Sequence, residues 1–194
     1  MVDTSSTMMP LNSPAPQFSL IDVTGGQEVR STDFEGSRGL LVMFLSRHCP
    51  FVKHVQRKVA ELCNSYLDRG LGVVAICAND VERYPGDSPD NLREQAAELG
   101  FRFPYLHDES QECARAYRAA CTPDFFLFDG RLRLTYRGQF DSSRPGNDIE
   151  VSGEDLNAAV DAVLAGRAGP ADQRPSMGCN IKWKPGNEPE YFLT

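Results

Sequence analysis

Residues 39–50 read GLLVMFLSRHCP, an apolar run of strand length that stops at a cysteine and a proline. The run from Gly39 to Ser46 lacks polar alternation, which predicts a strand buried on both faces at the centre of a parallel or mixed sheet. Pro50 suits the first turn of a helix, where a backbone N–H has no intrahelical partner. The stretch therefore predicts a central strand that leads directly into a helix, with Cys49 at the helix amino terminus.

The following segments continue the alternation of strands and helices. Beyond Pro50, apolar residues recur with the spacing of an amphipathic helix, which Arg69 and Gly70 end with a basic residue and a glycine cap. Two later apolar runs have strand length and two later segments have helical patterns: Gly72–Ala78 and Asp124–Asp129 for the strands, Asp90–Leu99 and Ser152–Leu164 for the helices. This order predicts an α/β domain with a central mixed β-sheet and helices on both faces.

The amino-terminal part of the chain divides into two segments. Residues 1–16 are rich in Ser, Thr, Pro and Asn and are expected to form a flexible arm. Phe18–Val23 and Glu28–Arg30 have strand character on either side of Gly25 and Gly26, which predicts an N-terminal β-hairpin. The domain is therefore expected to begin at residue 17.

The carboxyl-terminal part is a separate extension. We expect the domain to span residues 17–166 and the extension residues 167–194, which are rich in Gly, Pro and Asn. The extension also holds Trp183, Tyr191 and Phe192. Exposed rings of this size need a reason, so the extension is expected to pack on the domain.

Composition excludes several classes of function. The 194 residues include 20 Lys and Arg and 27 Asp and Glu, for a net charge of −7. The sequence shows no stripe of positive charge of the kind that binds nucleic acid, so no nucleic-acid partner is expected. Met1–Pro16 lacks the features of a secretory signal, and the most apolar stretch, Leu40–Leu45, is too short to span a bilayer. The sequence predicts a cytoplasmic protein with no membrane partner, in which the six cysteines are reduced thiols. Oligomeric state is left open.

Cys49 is the leading candidate for chemistry. Unpaired N–H groups and the helix dipole at a helix amino terminus stabilise an anion, so a thiol there has a lowered pKa and reacts as the thiolate. Arg47, His48, Lys53 and His54 flank it and are expected to add positive potential. The alternative is a buried thiol with a purely structural role in the core. The position at the carboxyl end of a central strand favours the reactive interpretation.

A redox cycle needs a second thiol. Cys63 lies too far along the same helix to pair with Cys49, and Cys63, Cys77 and Cys113 are interpreted as core residues. The spacing of His and Cys residues predicts no metal site, and no cofactor is expected.

Three motifs together resemble a known superfamily. His48-Cys49-Pro50-Phe51-Val52-Lys53-His54, Cys121-Thr122-Pro123-Asp124-Phe125-Phe126 and Gly178-Cys179-Asn180-Ile181-Lys182-Trp183-Lys184 are similar to those of an uncharacterised peroxiredoxin-like subfamily. That subfamily belongs to the thioredoxin-fold superfamily, in the alkyl hydroperoxide reductase and thiol-specific antioxidant group. The resemblance covers roughly residues 15–192 and implies a thioredoxin-like fold.

The resemblance also implies a site. A cis Thr122–Pro123 peptide is expected to form one wall of a substrate groove beside Cys49, and His48 and Pro50 are also expected to bind substrate. Cys121 would then lie nearby and is the first candidate for the thiol that resolves an oxidised Cys49. Cys179, carried to the site by a docked extension, is the second candidate.

The sequence departs from both well-known reaction motifs. Val52 stands where thioredoxins have the second cysteine of Cys-X-X-Cys and where peroxiredoxins have their reactive cysteine. We therefore expect a peroxiredoxin-like, thiol-dependent oxidoreductase that acts on a peroxide or a disulfide, with thioredoxin or glutathione as the thiol reductant. The alternative is a non-enzymatic redox sensor or a partner-binding module on the same fold.

Overall fold

A computed structural model describes residues 3–193 of the chain. Among these residues the strands are β1 Asp3–Ser5, β2 Ser19–Asp22, β3 Glu28–Arg30, β4 Gly39–Phe44, β5 Gly72–Cys77, β6 Tyr105–His107, β7 Cys121–Thr122, β8 Asp124–Asp129, β9 Leu134–Gly138 and β10 Met177–Asn180. The α-helices are α1 Pro50–Asp68, α2 Pro89–Leu99, α3 Glu112–Ala116 and α4 Glu154–Leu164.

The main sheet has seven strands in the order β3-β2-β6-β5-β4-β8-β9. Strand β4 pairs with β5 in parallel and with β8 in antiparallel orientation, so the sheet is mixed. Every residue of β4 and β5 is buried, because both faces of a central strand are covered by other layers. The predicted central strand and the predicted β2–β3 hairpin are both confirmed.

The two faces of this sheet are covered differently. One hydrophobic core receives residues from α1, α2 and α4. The other receives residues from the short helix α3 together with Ile181 and Trp183 of the extension. Burial of an aliphatic side chain such as Ile181, 1% exposed, contributes about 1.5–3 kcal/mol. Helices lie on both faces as predicted, and the carboxyl-terminal segment completes the second layer.

A second, three-stranded sheet joins the two ends of the chain. Strand β10 lies between β1 and β7 and is antiparallel to both. The amino-terminal segment was expected to be a flexible arm, but Asp3–Ser5 pair with Met177–Cys179 and Met9 is buried in the core. The described part of segment 1–16 is therefore packed, because its backbone groups complete a sheet and its methionine buries apolar surface. Residues 1 and 2 lie outside the described residues.

Helix α1 is the longest helix in the described part of the chain, with 19 residues. Its apolar positions face the sheet and its charged positions face solvent, as the spacing predicts. None of the helices in residues 3–193 combines the length and the apolar character needed to cross a bilayer.

Candidate active site

Cys49 occupies the cap position of α1, and Pro50 is the first helical residue. The backbone of Cys49 is extended, with φ −68° and ψ 123°, as expected for a residue that ends a loop and precedes a helix. The backbone N–H of Cys49 donates to the hydroxyl of Ser46 over 3.3 Å. The predicted helix start is confirmed. The side chain is fully buried at 0% exposure, so a cover lies over the candidate nucleophile.

Hydrogen bonds to the sulfur lower the pKa of the Cys49 thiol to about 6. The largest cause is the thiol of Cys179, and the side chain of Thr122 and the amides of Val52 and Cys179 add to it against the opposing effect of burial. When protonated, the thiol of Cys49 donates to the Thr122 carbonyl over 3.1 Å. The expected lowering of the pKa is present, but its origin differs from the expected flanking cations. It lies in donors that converge on the sulfur from α1, β7 and β10.

The Thr122–Pro123 peptide bond is cis, as the resemblance implies. Thr122 belongs to β7 and faces Cys179 of β10 across an antiparallel pair. This pairing places β10 directly beside the amino terminus of α1. The cis bond, Cys49 and Cys179 thus lie next to one another.

Cys179 is the cysteine that the fold brings into contact with Cys49. Its hydrogen bond to Cys49 raises its pKa, with burial and the negative charge of Cys49 adding to the effect. One thiol of the pair is therefore tuned to ionise and the other to stay protonated.

Cys121 is buried on the other side of β7. Neighbouring residues of a strand point to opposite faces, and Thr122 is the one that turns toward Cys49. The sulfur of Cys121 lies 3.7 Å from the Pro123 carbonyl. Burial raises its pKa, and the charges of Asp124 and Cys49 raise it further. Of the two candidates, the structure brings Cys179, the second, into contact with Cys49, and not Cys121, the first.

Asp87 organises the loop before Cys49 and was missed by the sequence analysis. It lies in a 3-10 turn, Pro85–Asp87, and its carboxylate is fully buried. The donors to this carboxylate are Ser46 Oγ at 2.9 Å, Arg47 N at 2.7 Å, His48 N at 3.2 Å, His48 Nδ1 at 2.7 Å and Asn79 Nδ2 at 2.6 Å. Burial acts to raise the pKa of Asp87, but the bonds from His48, Asn79 and Ser46 hold it below its ordinary value.

His48 lies on the rim of the site. Its ring stacks on Tyr84 with centroids 5.7 Å apart and an interplanar angle of 8°. Its Nδ1 lies 2.7 Å from the Asp87 carboxylate and 3.3 Å from Ser46 Oγ. Lys182 completes the stack, with its ammonium 5.7 Å from the centroid of the Tyr84 ring. His48 is thus fixed in orientation at the surface above the loop that carries Cys49.

A small groove lies beside the cis bond, with an enclosed volume of about 10 Å³, room for roughly one water molecule. Its lining residues come mainly from α1, the cis peptide, β10 and the loop after β9. The apolar ones are Phe51, Val55, Pro123, Phe140, Pro145 and Met177, and the polar ones are His54, Gln139, Ser143, Arg144 and Ser176. His54 is bonded there to Ser143 over 2.6 Å.

The remaining cysteines are structural, as predicted. Cys63, Cys77 and Cys113 are buried in the two cores. Burial is the main cause that raises the pKa of each. Thiols in such surroundings are poor nucleophiles.

Comparison with known proteins places this site in context. A solved structure of an uncharacterized conserved protein from Geobacillus kaustophilus is 52% identical, with a TM-score of 0.94 over 96% of this chain and 98% of that chain. The thiol-disulfide oxidoreductase ResA of Geobacillus thermodenitrificans is 28% identical over 70% of this chain and 74% of its own length. The thioredoxin domain of a thiol-disulfide oxidoreductase from Bacteroides vulgatus is 18% identical and shares the fold, with a TM-score of 0.56 over 70% of this chain and 90% of that domain.

These findings confirm the predicted thioredoxin-like fold and the predicted class, a thiol-dependent oxidoreductase. The AhpC/TSA family model matches residues 11–137, which include β4, α1, the cis peptide and β8. That match spans most of the domain and contains Cys49 and Cys121, whereas Cys179 follows it. The chain belongs to the AhpC/TSA family.

Proposed function

We propose that the protein exchanges thiols and disulfides through one pair of cysteines, with Cys49 as the nucleophile and Cys179 as the resolving thiol. The observation that carries the proposal is the hydrogen bond between the two sulfurs. No Cys-X-X-Cys motif is needed, because β10 supplies the second thiol from the far end of the sequence. The curated relatives named thiol-disulfide oxidoreductase support the same reaction class.

The first step is attack by the Cys49 thiolate on a disulfide of a partner molecule. A bond forms between the Cys49 sulfur and one partner sulfur, the partner's S–S bond breaks, and the other partner sulfur leaves as a thiolate that takes a proton from water. The amide of Val52 and the side chain of Thr122 stabilise the attacking thiolate. With a pKa of about 6, Cys49 is largely ionised at neutral pH.

The second step is resolution by Cys179. The bond to Cys49 and the charge of Cys49 raise the pKa of Cys179, and both disappear when Cys49 enters the mixed disulfide. Cys179 then loses its proton to water more readily and attacks the Cys49 sulfur. The Cys49–Cys179 disulfide forms, and the partner leaves as a thiol. A thiol reductant of the thioredoxin or glutathione type then returns the pair to the dithiol state.

Reduction of a peroxide is the second candidate, supported by the AhpC/TSA family match. In this version the Cys49 thiolate attacks one peroxide oxygen and becomes a sulfenic acid, while the O–O bond breaks and the second oxygen leaves as water or an alcohol. The thiol of Cys179 then condenses with the sulfenic acid, which forms the same disulfide and releases water. Both versions require the same pair of sulfurs.

The decisive experiment maps the disulfide. Reduced protein is treated with oxidised glutathione or with hydrogen peroxide, digested without reductant and analysed by mass spectrometry. We expect a Cys49–Cys179 cross-link from the native chain, and a persistent Cys49–glutathione disulfide from Cys179→Ser. Cys113→Ser is the matched control, because Cys113 is buried away from the site, and it is expected to form the cross-link normally. A native chain in which Cys49 stays reduced under both treatments contradicts the proposal.

A further inference from the structure

Strand β10 covers the candidate nucleophile. Cys49 is 0% exposed, and the two groups of β10 that reach it are the thiol and the amide of Cys179. A substrate sulfur that reacts with Cys49 must therefore take the place that Cys179 occupies. The residues that contact β10 therefore indicate which class of substrate can bind in its place.

The edge of β7 needs a partner with a peptide backbone. Strand β10 pairs with it in register, Cys179 opposite Thr122 and Asn180 opposite Cys121, and the pairing continues as the N–H of Ile181 donates to the Ala120 carbonyl over 3.1 Å. Thr122 and Cys121 are buried. Buried backbone groups without partners are costly, so removal of β10 favours replacement by another extended strand.

The residue two positions before Cys179 is Met177, which lines the groove and is 41% exposed to solvent. Side chains at i and i−2 of a strand lie on one face, and Met177 lines the groove beside Phe51 and Pro123 while Cys179 meets Cys49. A long apolar side chain at this position contributes contacts with the groove walls.

The residue directly before Cys179 has no room for a side chain. A Cβ placed on Gly178 would lie 2.0 Å from the carbonyl oxygen and 2.7 Å from the carbonyl carbon of Thr122. Those atoms are backbone of the strand that carries the cis bond, so they cannot move aside as a flexible side chain would. Gly178 does not adopt a positive φ, so the requirement is for space and not for an unusual backbone conformation.

We propose that β10 is the chain's own occupant of a binding edge for extended polypeptide substrates, and that this edge selects segments in which an apolar residue and then a glycine precede the reactive cysteine. The inference rests on the proposed function and adds a substrate class to it. Such a segment carries its cysteine in a disulfide. Cys49 attacks that sulfur, the second sulfur leaves as a thiol, and the return of β10 brings Cys179 in to displace the segment as a thiol.

The test uses a peptide with the sequence of residues 174–184, RPSMGCNIKWK, whose cysteine carries thionitrobenzoate in a mixed disulfide. Attack by Cys49 joins the peptide to the protein and releases coloured thionitrobenzoate. The matched probe has alanine in place of the glycine. Rates are corrected for those of a Cys49→Ser chain, so that only the reaction at Cys49 is counted.

The full-length variant Gly178→Ala is expected to open the edge, because its own β10 no longer fits. It should react with the glycine peptide at least about tenfold faster than with the alanine peptide, since the alanine Cβ would overlap the Thr122 carbonyl. The native chain should react with the glycine peptide more slowly than Gly178→Ala does. Gly130→Ala is the control, because a Cβ there has only ordinary contacts, the nearest at 3.5 Å, and it should behave as the native chain.

Equal rates for the two peptides would overturn the inference, as would a glycine peptide that reacts no faster than a mixed disulfide of glutathione and thionitrobenzoate. If Gly178→Ala fails to fold, the ratio of the two peptide rates is measured on Cys179→Ser instead, which keeps β10 but removes the competing thiol. Dithionitrobenzoate alone separates the two proposals. If it does not react at Cys49 in either variant, the proposed function is wrong, and if it reacts without peptide discrimination, only the substrate class is wrong.

Discussion

The thiol of Cys179 is the largest cause of the lowered pKa of Cys49, although the two residues belong to the last strand and to the cap of the first helix. The helix terminus alone supplies only the Val52 amide to the sulfur. A nucleophile tuned in this way depends on whether the carboxyl-terminal strand is docked. The redox properties of Cys49 are thus linked to the position of β10.

The first prediction concerns the variant Cys179→Ala. Loss of a hydrogen bond to a charged group costs about 1.5–3 kcal/mol, so we expect the pKa of Cys49 to rise by about one to two units. The thiolate absorbance in the ultraviolet, titrated against pH, measures this without requiring a reagent to enter the buried site. The native chain should show a titration near pH 6.

Two control variants show which cysteine gives rise to the transition in that titration. Cys49→Ser should abolish the transition near pH 6, which assigns it to this sulfur. Cys63→Ala removes a buried thiol of the core and should leave the transition in place, because Cys63 is not among the causes of the pKa shift. An unchanged titration in Cys179→Ala would mean that Cys179 does not stabilise the thiolate.

The location of the reactive cysteine could be predicted from sequence, but the source of its reactivity could not. The position of Cys49 follows from a local pattern, in which a buried strand ends and a helix begins. Flanking cations were the only charged groups visible nearby in sequence, and one of them, Arg47, is instead paired with Glu94 and Glu98. The groups that act on the sulfur come from β7 and β10, and their approach depends on tertiary pairing.

The second prediction concerns Asp87. Asp87→Asn removes the charge that accepts bonds from the loop before Cys49, and breaking a buried charged interaction of this kind costs about 3 kcal/mol. A carboxylate whose pKa is lowered by folding contributes stability above its unfolded pKa, 3.8, and loses it as the pH falls through the lowered folded value. The deficit in unfolding free energy should therefore be full at pH 7 and should shrink below about pH 4.

Urea unfolding at pH 7 and at several acidic pH values measures the deficit. Asp90→Asn is the control, because the side chain of Asp90 is 83% exposed in its ion pair with Arg93, and surface pairs are worth about 0–1 kcal/mol. If the two variants behave alike at pH 7, Asp87 does not hold the loop.

The third prediction separates Cys121 from the reaction. Cys121→Ala should cost about 1 kcal/mol of stability through a small cavity, because Cys121 is fully buried. The yield and rate of the Cys49–Cys179 disulfide should stay within about twofold of the native chain, since a thiol held on the far face of β7 does not approach Cys49. Mass spectrometry of the oxidised variant measures the yield. Loss of the cross-link would mean that Cys121 takes part in the reaction.

The fold could be predicted where residues act on neighbours in sequence, and it departed from prediction at the chain ends. The apolar run of β4 and the turn between β2 and β3 are local signals, and both elements are present. Residues 3–5 carry no apolar pattern and were expected to be flexible. Their order comes from pairing with β10, a partner almost a full chain length away, which composition alone cannot indicate.

The last prediction concerns Asp124, which follows the cis peptide and is fully buried. Burial raises the pKa of this carboxyl well above its ordinary value, and the amides of Ala120 and Phe125 offset only part of the effect. A group whose folded pKa is raised contributes stability that is fully present below the unfolded pKa of 3.8 and is lost as the pH rises toward the folded value.

Asp124→Asn does not titrate and keeps the shape of the side chain, so it should be more stable than the native chain at pH 7. Its advantage should fall toward zero near pH 4, by about 1.4 kcal/mol per pH unit across the titration window. Urea unfolding across pH 4–8 measures this, with the exposed Asp172 changed to Asn as a control that should show no such slope. If Asp124→Asn is instead less stable at pH 7, the native carboxyl is held there as a charged partner and not as a buried acid.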